Sequence, residues 1–122
     1  MAPTDAFREV KEAEFRDDLK TGGWLLLDLF GVACPVCTSA EAEAAIAEKY
    51  KGLASFLRMD VDNAEEVVKE FQIIGIPTLI LFKGGERRSQ FVYVPDQGGE
   101  NVLTWLKAEL KDDVPPKPGW PA

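Results

Sequence analysis

Trp24-Leu25-Leu26-Leu27-Asp28-Leu29-Phe30, followed after Gly31-Val32-Ala33 by Cys34-Pro35-Val36-Cys37, is the stretch that decides how this chain folds. The first seven residues are apolar except at Asp28, the pattern of a central strand covered on both faces. The alanine-rich segment after the cysteines, Cys37 to Lys51, reads as a helix closed by Gly52. A strand that turns into a helix with Cys-x-x-Cys at the turn is a redox-site arrangement. With two residues between them and the second in the first helical turn, the sulfurs come within bonding reach. The start of the helix offers unpaired backbone N–H groups and the positive end of the helix dipole, both of which favour a thiolate. The chemistry indicated is dithiol–disulfide exchange.

Working outward, Ala6 to Val10 reads as a short strand and Lys11 to Lys20 as a helix, with Phe15 and Leu19 on one face. Thr21-Gly22-Gly23 ends that helix. Beyond the alanine-rich helix, Ser55 to Val61 reads as a strand, and Asp62-Asn63 offers a cap for a helix running to about Phe71 or Gln72. Gly75-Ile76-Pro77 interrupts the chain before a strand over Thr78 to Phe82, and Gly84-Gly85 signals a hairpin into a strand over Arg88 to Val94. Glu100 to Asp112 reads as the last helix, with Val102, Leu103, Leu106 and Leu110 as its apolar stripe. The order β-α-β-α-β-α-β-β-α predicts an α/β fold. Its mixed central sheet has about five strands, parallel early and antiparallel in the final hairpin, with about four helices on both faces. One domain is expected over residues 1–113. The tail over 114–122, with prolines at 115, 116, 118 and 121, is too proline-rich for a helix.

Composition bounds the function. The chain has 122 residues, enough for one domain that folds without a staple, so its only two cysteines are free to be functional. A net charge of −7 argues against nucleic acid as a main partner. There are no histidines, which removes imidazole acid–base chemistry and imidazole metal ligands. Two thiolates alone supply half of a tetrahedral zinc set, so no metal and no cofactor are expected. The polar start of the chain shows no targeting segment, and the longest apolar run is too short to span a bilayer. These features predict a cytoplasmic protein without membrane contact, in a compartment where a cysteine pair is more often catalytic than structural.

With Leu27-Asp28-Leu29-Phe30, Cys34-Pro35-Val36-Cys37, Asp60-Val61-Asp62 and the run from Gly75-Ile76-Pro77-Thr78 through Phe82-Lys83-Gly84-Gly85-Glu86, the chain resembles the thioredoxin family from about Ala6 to Asp112. The resemblance implies the thioredoxin fold, reduction of oxidised protein substrates, an electron donor of the thioredoxin-reductase type, a monomer, and a cis Ile76–Pro77 bond beside the cysteines. Four positions depart from the family pattern. Pro35-Val36 replaces Gly-Pro between the cysteines, Ala33 replaces tryptophan, Thr38 replaces a basic residue, and Tyr93 stands where a substrate-loop glycine is usual. Potentials among such proteins span about 150 mV, so an oxidant or isomerase of an extracytoplasmic compartment stays open as a reading. A non-catalytic binding module also stays open.

Cys34 is the candidate nucleophile and Cys37 the thiol that resolves the mixed disulfide. Asp28 matches the family position that takes the Cys37 proton, with a solvent-facing carboxylate at a strand edge as the alternative. Arg58 matches a family lysine near that aspartate and would modulate its ionisation; a solvated surface charge is the alternative. Pro35 and Val36 between the cysteines, Gly75, Ile76 and Pro77, and Tyr93 and Val94 are the candidate substrate-binding residues. Backbone groups of Ile76 would pair with an extended substrate. Trp24, Phe30, Phe56, Phe71, Phe82 and Trp105 are expected in the core. The acidic residues of Lys11 to Asp18 and of Glu41 to Glu48 are expected on solvated helix faces.

Overall fold

A computed structural model describes residues 7–32, 40–50, 54–92 and 100–110. Trp24–Phe30 forms β2, and the rest of the sheet is assembled around it. Leu25, Leu26, Leu27 and Leu29 are all buried, because β2 is hydrogen-bonded on both edges and covered on both faces. The elements run β1 (Arg8–Glu9), α1 (Glu12–Leu19), β2, α2 (Ala40–Lys49), β3 (Ala54–Asp60), α3 (Glu65–Glu70), β4 (Thr78–Lys83), β5 (Glu86–Val92) and α4 (Glu100–Leu110). The sheet order is β1-β3-β2-β4-β5. β1, β3 and β2 run parallel, and β4 and β5 are antiparallel additions. This is the mixed five-stranded sheet and four-helix order predicted from the sequence.

Side-chain alternation along the strands divides the core in two. Leu25, Leu27 and Leu29 of β2 join Leu57, Met59, Ile80 and Phe82 under α1 and α3, which contribute Phe15 and Val67, with Ala64 and Phe71 beside them. The rings of Phe15, Phe71 and Phe82 meet edge to face with centroids 5.3–6.4 Å apart. On the opposite face, Leu26, Leu79 and Leu81 pack under α2 and α4, which contribute Ile46, Leu106 and Leu110, with Tyr50 beside them. Trp105 stacks on Phe91 at 5.3 Å and donates its indole N–H to the Ser89 hydroxyl at 2.8 Å. Of the aromatic residues expected in the core, Phe71 and Phe82 are buried, Trp24, Phe56 and Trp105 are half-buried against the second cluster, and Phe30 is half-buried beneath the Arg58 guanidinium.

The segment after β3 is tighter than its sequence suggests. Val61–Asn63 makes a single 3₁₀ turn, and Val61 does not extend the strand. The capping side chain is Asp60, which accepts the Asp62 N–H at 2.9 Å, in place of the predicted cap at Asp62-Asn63. α3 starts only at Glu65, and the Glu12 carboxylate of α1 accepts its Val67 N–H at 2.8 Å. Glu12 thus binds one helix to the next, where a solvated carboxylate was expected. The β4–β5 turn is as predicted: Gly84 and Gly85 have φ of 63° and 82°, a left-handed pair that glycine adopts without a Cβ penalty. β5 begins at Glu86, two residues earlier than predicted, and a register shift at Leu81/Phe82 accommodates the difference. Residues 111–122, including the proline-rich tail, lie outside the described residues.

The core sets two expectations for stability. Phe15 is fully buried between two rings, so Phe15→Ala should cost about 3–5 kcal/mol in urea unfolding, while Glu65→Ala on an exposed face should change stability by less than about 0.5 kcal/mol. Burial raises the proton affinity of the Tyr50 phenol above its ordinary value. The unfolded chain therefore loses that proton first, and the associated stability, present below about pH 10, falls as pH rises through the folded value. Unfolding free energies taken between about pH 9 and 11 should fall more steeply for the parent than for Tyr50→Phe; parallel curves would contradict this.

Candidate functional site

One end of the sheet carries the loop with Gly75, Ile76 and Pro77. Leu29 of β2 pairs with Thr78 of β4, and Thr78 pairs with Val92 of β5. The loop entering β4, the chain leaving β2 and the end of β5 therefore share this end. The Ile76–Pro77 peptide is cis, as the resemblance implied. Pro77 is buried, Ile76 half-buried and Gly75 exposed. The Thr78 hydroxyl donates to the Gly75 carbonyl at 2.6 Å, which fastens the loop to the first residue of β4. Among the described residues, a Cβ built on Gly75 would meet no atom within 4 Å. Cys34, Pro35, Val36 and Cys37, between β2 and α2, lie outside the described residues, as do Tyr93 and Val94 after β5.

Three large apolar side chains stand exposed at this end of the sheet: Val32 (78%), Ile74 (94%) and Val92. Sequence reasoning did not single them out, because an isolated valine or isoleucine beside a strand reads as core. What distinguishes them is position, two residues past β2, four before β4 and at the last residue of β5.

Asp28 is fully buried, at 0% exposure. It lies on the third strand of five, opposite Arg58 of β3 and Leu79 of β4. A carboxylate at a solvent-facing edge is therefore excluded. Parallel pairing turns Asp28 and Arg58 to the same face of the sheet, the face covered by α2. Arg58 is only 16% exposed and is no solvated surface charge. Its Nε donates to Glu43 Oε2 at 3.3 Å and its Nη1 to Glu9 Oε1 at 3.0 Å. The guanidinium also lies 3.9 Å from the centre of the Phe30 ring, a cation–π contact on a second side.

Glu43 corrects the expectation of a solvated acidic face on α2: it is 1% exposed. With Ile46 and Tyr50 it forms the stripe, at i, i+3 and i+7, that α2 turns onto the sheet. That spacing is visible in the sequence, but an acid within an alanine-rich helix gives no hint that an arginine from a strand waits beneath it. Among the described residues no group of three or more potential ligands is arranged to hold a metal, and no described helix is long and apolar enough to cross a membrane.

Comparison with known proteins agrees with this architecture. A family profile described as Thioredoxin matches residues 6–108. A thioredoxin from Staphylococcus haemolyticus is 33% identical over 100 residues, covering 80% of this chain and 95% of that protein. A bifunctional thioredoxin reductase/thioredoxin from Mycobacterium leprae is 32% identical over 109 residues, covering 88% of this chain. This chain spans about a fifth of the length of that protein and of some of the other curated relatives it matches. Among solved structures, a mutant thioredoxin from Halobacterium salinarum superposes with a TM-score of 0.71 at 23% identity, covering 89% of this chain and 95% of that one.

The buried ion pair yields a stability prediction. Arg58→Met leaves Glu43 buried without its cation and should cost about 3–5 kcal/mol; Glu43→Leu in the same chain should recover most of that loss, because a buried pair can be replaced by apolar packing. A double-mutant cycle in urea measures the coupling, and additive losses would contradict it.

Proposed function

The chain belongs to the thioredoxin family, and from that premise we propose that it is a protein-disulfide reductase working through Cys34 and Cys37. The observation that carries this reading is the end of the sheet that brings together a cis Ile76–Pro77 peptide and exposed Val32, Ile74 and Val92, with the two cysteines following β2 in the sequence. An extended polypeptide is the ligand that suits it. In this reading backbone groups of Ile76 pair with such a chain, and the apolar side chains cover its flanks. Pro35, Val36, Tyr93 and Val94 complete the binding residues in this reading.

The reaction runs in two steps. The Cys34 thiolate attacks one sulfur of the target disulfide, forming a mixed disulfide and releasing the other target sulfur as a thiolate. Cys37 then gives up its proton and attacks Cys34. The bond between Cys34 and the target breaks, the second target sulfur leaves, and an intramolecular Cys34–Cys37 disulfide remains. Two electrons pass from this protein to the target. Asp28 is assigned the Cys37 proton: it is a carboxylate fully buried on the strand that leads to the cysteines, on the face covered by α2. Arg58, opposite it in register, modulates that proton transfer. Electrons return from a donor of the thioredoxin-reductase type. The relative whose name couples such a reductase to a thioredoxin supports that partner. A monomer acting in the cytoplasm completes the proposal.

Insulin reduction with dithiothreitol tests the assignment. Cys34→Ser should abolish turnover, and undiminished turnover would falsify the nucleophile. In stopped-flow measurements, Asp28→Asn should slow resolution of the mixed disulfide roughly a hundredfold while leaving its formation largely intact. Equal slowing of both steps would remove Asp28 from the proton-transfer role.

A further inference from the structure

On the face covered by α2, one cation faces two fully buried carboxylates. Asp28 is 0% exposed and Glu43 1%, and Arg58 stands beside the first in strand register and bonded to the second. The described hydrogen bonds of the guanidinium run to Glu43 and to Glu9, and its flat side is occupied by Phe30. Among the described residues, Glu43 Oε1 makes no hydrogen bond, and the described polar partner of the side chain is Arg58. Leaving a carboxylate oxygen buried and unbonded is costly, and packing with Ile46 and Tyr50 does not require an acid there. Next to the cluster β4 presents Leu79 and Leu81, and α4 presents Leu103, Leu106 and Leu110; the further cations on this face, Lys83 of β4 and Arg88 of β5, lie over the Trp24 ring at the other end of β2. Besides Asp28, Glu43 and Arg58, the titratable groups facing the cluster are Glu9 of β1, whose carboxylate is largely exposed, and the Tyr50 phenol at the end of α2. Asp60, two residues beyond Arg58 on β3, is engaged with the Asp62 N–H.

We propose that Glu43 is a positioning residue for the redox reaction: it holds the Arg58 guanidinium to itself and offsets its charge, and so preserves the affinity of Asp28 for the Cys37 proton. This rests on the assignment of Asp28 as the proton acceptor. An unopposed arginine next to Asp28 would favour the carboxylate so strongly that it became a poor base. The anion at Glu43 cancels much of that field and adds one of its own sign. Arg58 thereby fixes the structure without suppressing proton transfer.

The test is the pH profile of mixed-disulfide resolution in the full chain, with formation of the mixed disulfide followed in parallel. Glu43→Gln keeps the shape of the side chain and removes the charge. It should move the rising limb of the resolution profile to lower pH by roughly one unit and leave formation unchanged. Glu43→Leu, which fills the same space without a polar group, should move the limb in the same direction, and it serves if the Gln variant folds poorly. A resolution profile that superposes on the parent for both variants, while Asp28→Asn still abolishes the limb, overturns the role of Glu43 and leaves the Asp28 assignment standing. A limb that persists in Asp28→Asn overturns that assignment, and the role of Glu43 falls with it.

Discussion

The structure depends on β2 being paired on both edges and covered on both faces. A strand in that position must be apolar, because every side chain on it loses water. Asp28 is the one position on the strand that breaks this rule, at 0% exposure. The cost of placing a carboxylate there is several kcal/mol unless neighbouring groups compensate. Arg58 lies opposite Asp28 in register on β3, and Glu43, above on α2, is bonded to that arginine. The same central strand that organises the core thus also carries the buried charge from which the chain runs on to the two cysteines.

The two faces of the sheet carry different tasks. Under α1 and α3 the packing is apolar around three aromatic rings edge to face, with Thr78 a buried polar residue at the start of β4. Under α2 and α4 the core is apolar towards Tyr50 and Leu110 and charged towards Asp28, Arg58 and Glu43. The charged end coincides with the C-terminal part of β2, from which the chain runs to the cysteines. The aromatic cluster and the charged cluster are therefore separated across the sheet and along one strand.

Much of this was legible in the sequence. The unbroken apolar run of β2, the glycine pair at 84 and 85, and the apolar stripe of α4 each dictate local structure by simple sterics or periodicity, and the element order follows from them. The cis geometry at Pro77 was legible only through family resemblance, because the isomer of an X-Pro bond is set by tertiary context. Asp28 stood out as a charge in an apolar strand. Glu43 did not, although its spacing to Ile46 and Tyr50 places it on the buried stripe, because the partner that makes burial tolerable lies fifteen residues away on β3. Exposed Val32, Ile74 and Val92 were hidden for the opposite reason: apolar residues announce burial, and only the assembled sheet shows them turned outward.

The central claim is that this fold presents a reducing cysteine pair. The most direct measurement is the reduction potential of the Cys34–Cys37 disulfide, equilibrated against glutathione redox buffers. The account predicts a value towards the reducing end of the superfamily, near the roughly −270 mV of thioredoxin, despite the Pro35-Val36 dipeptide. A value near about −120 mV, that of a strong oxidant, would contradict it, as would cysteines that fail to pair under oxidising conditions.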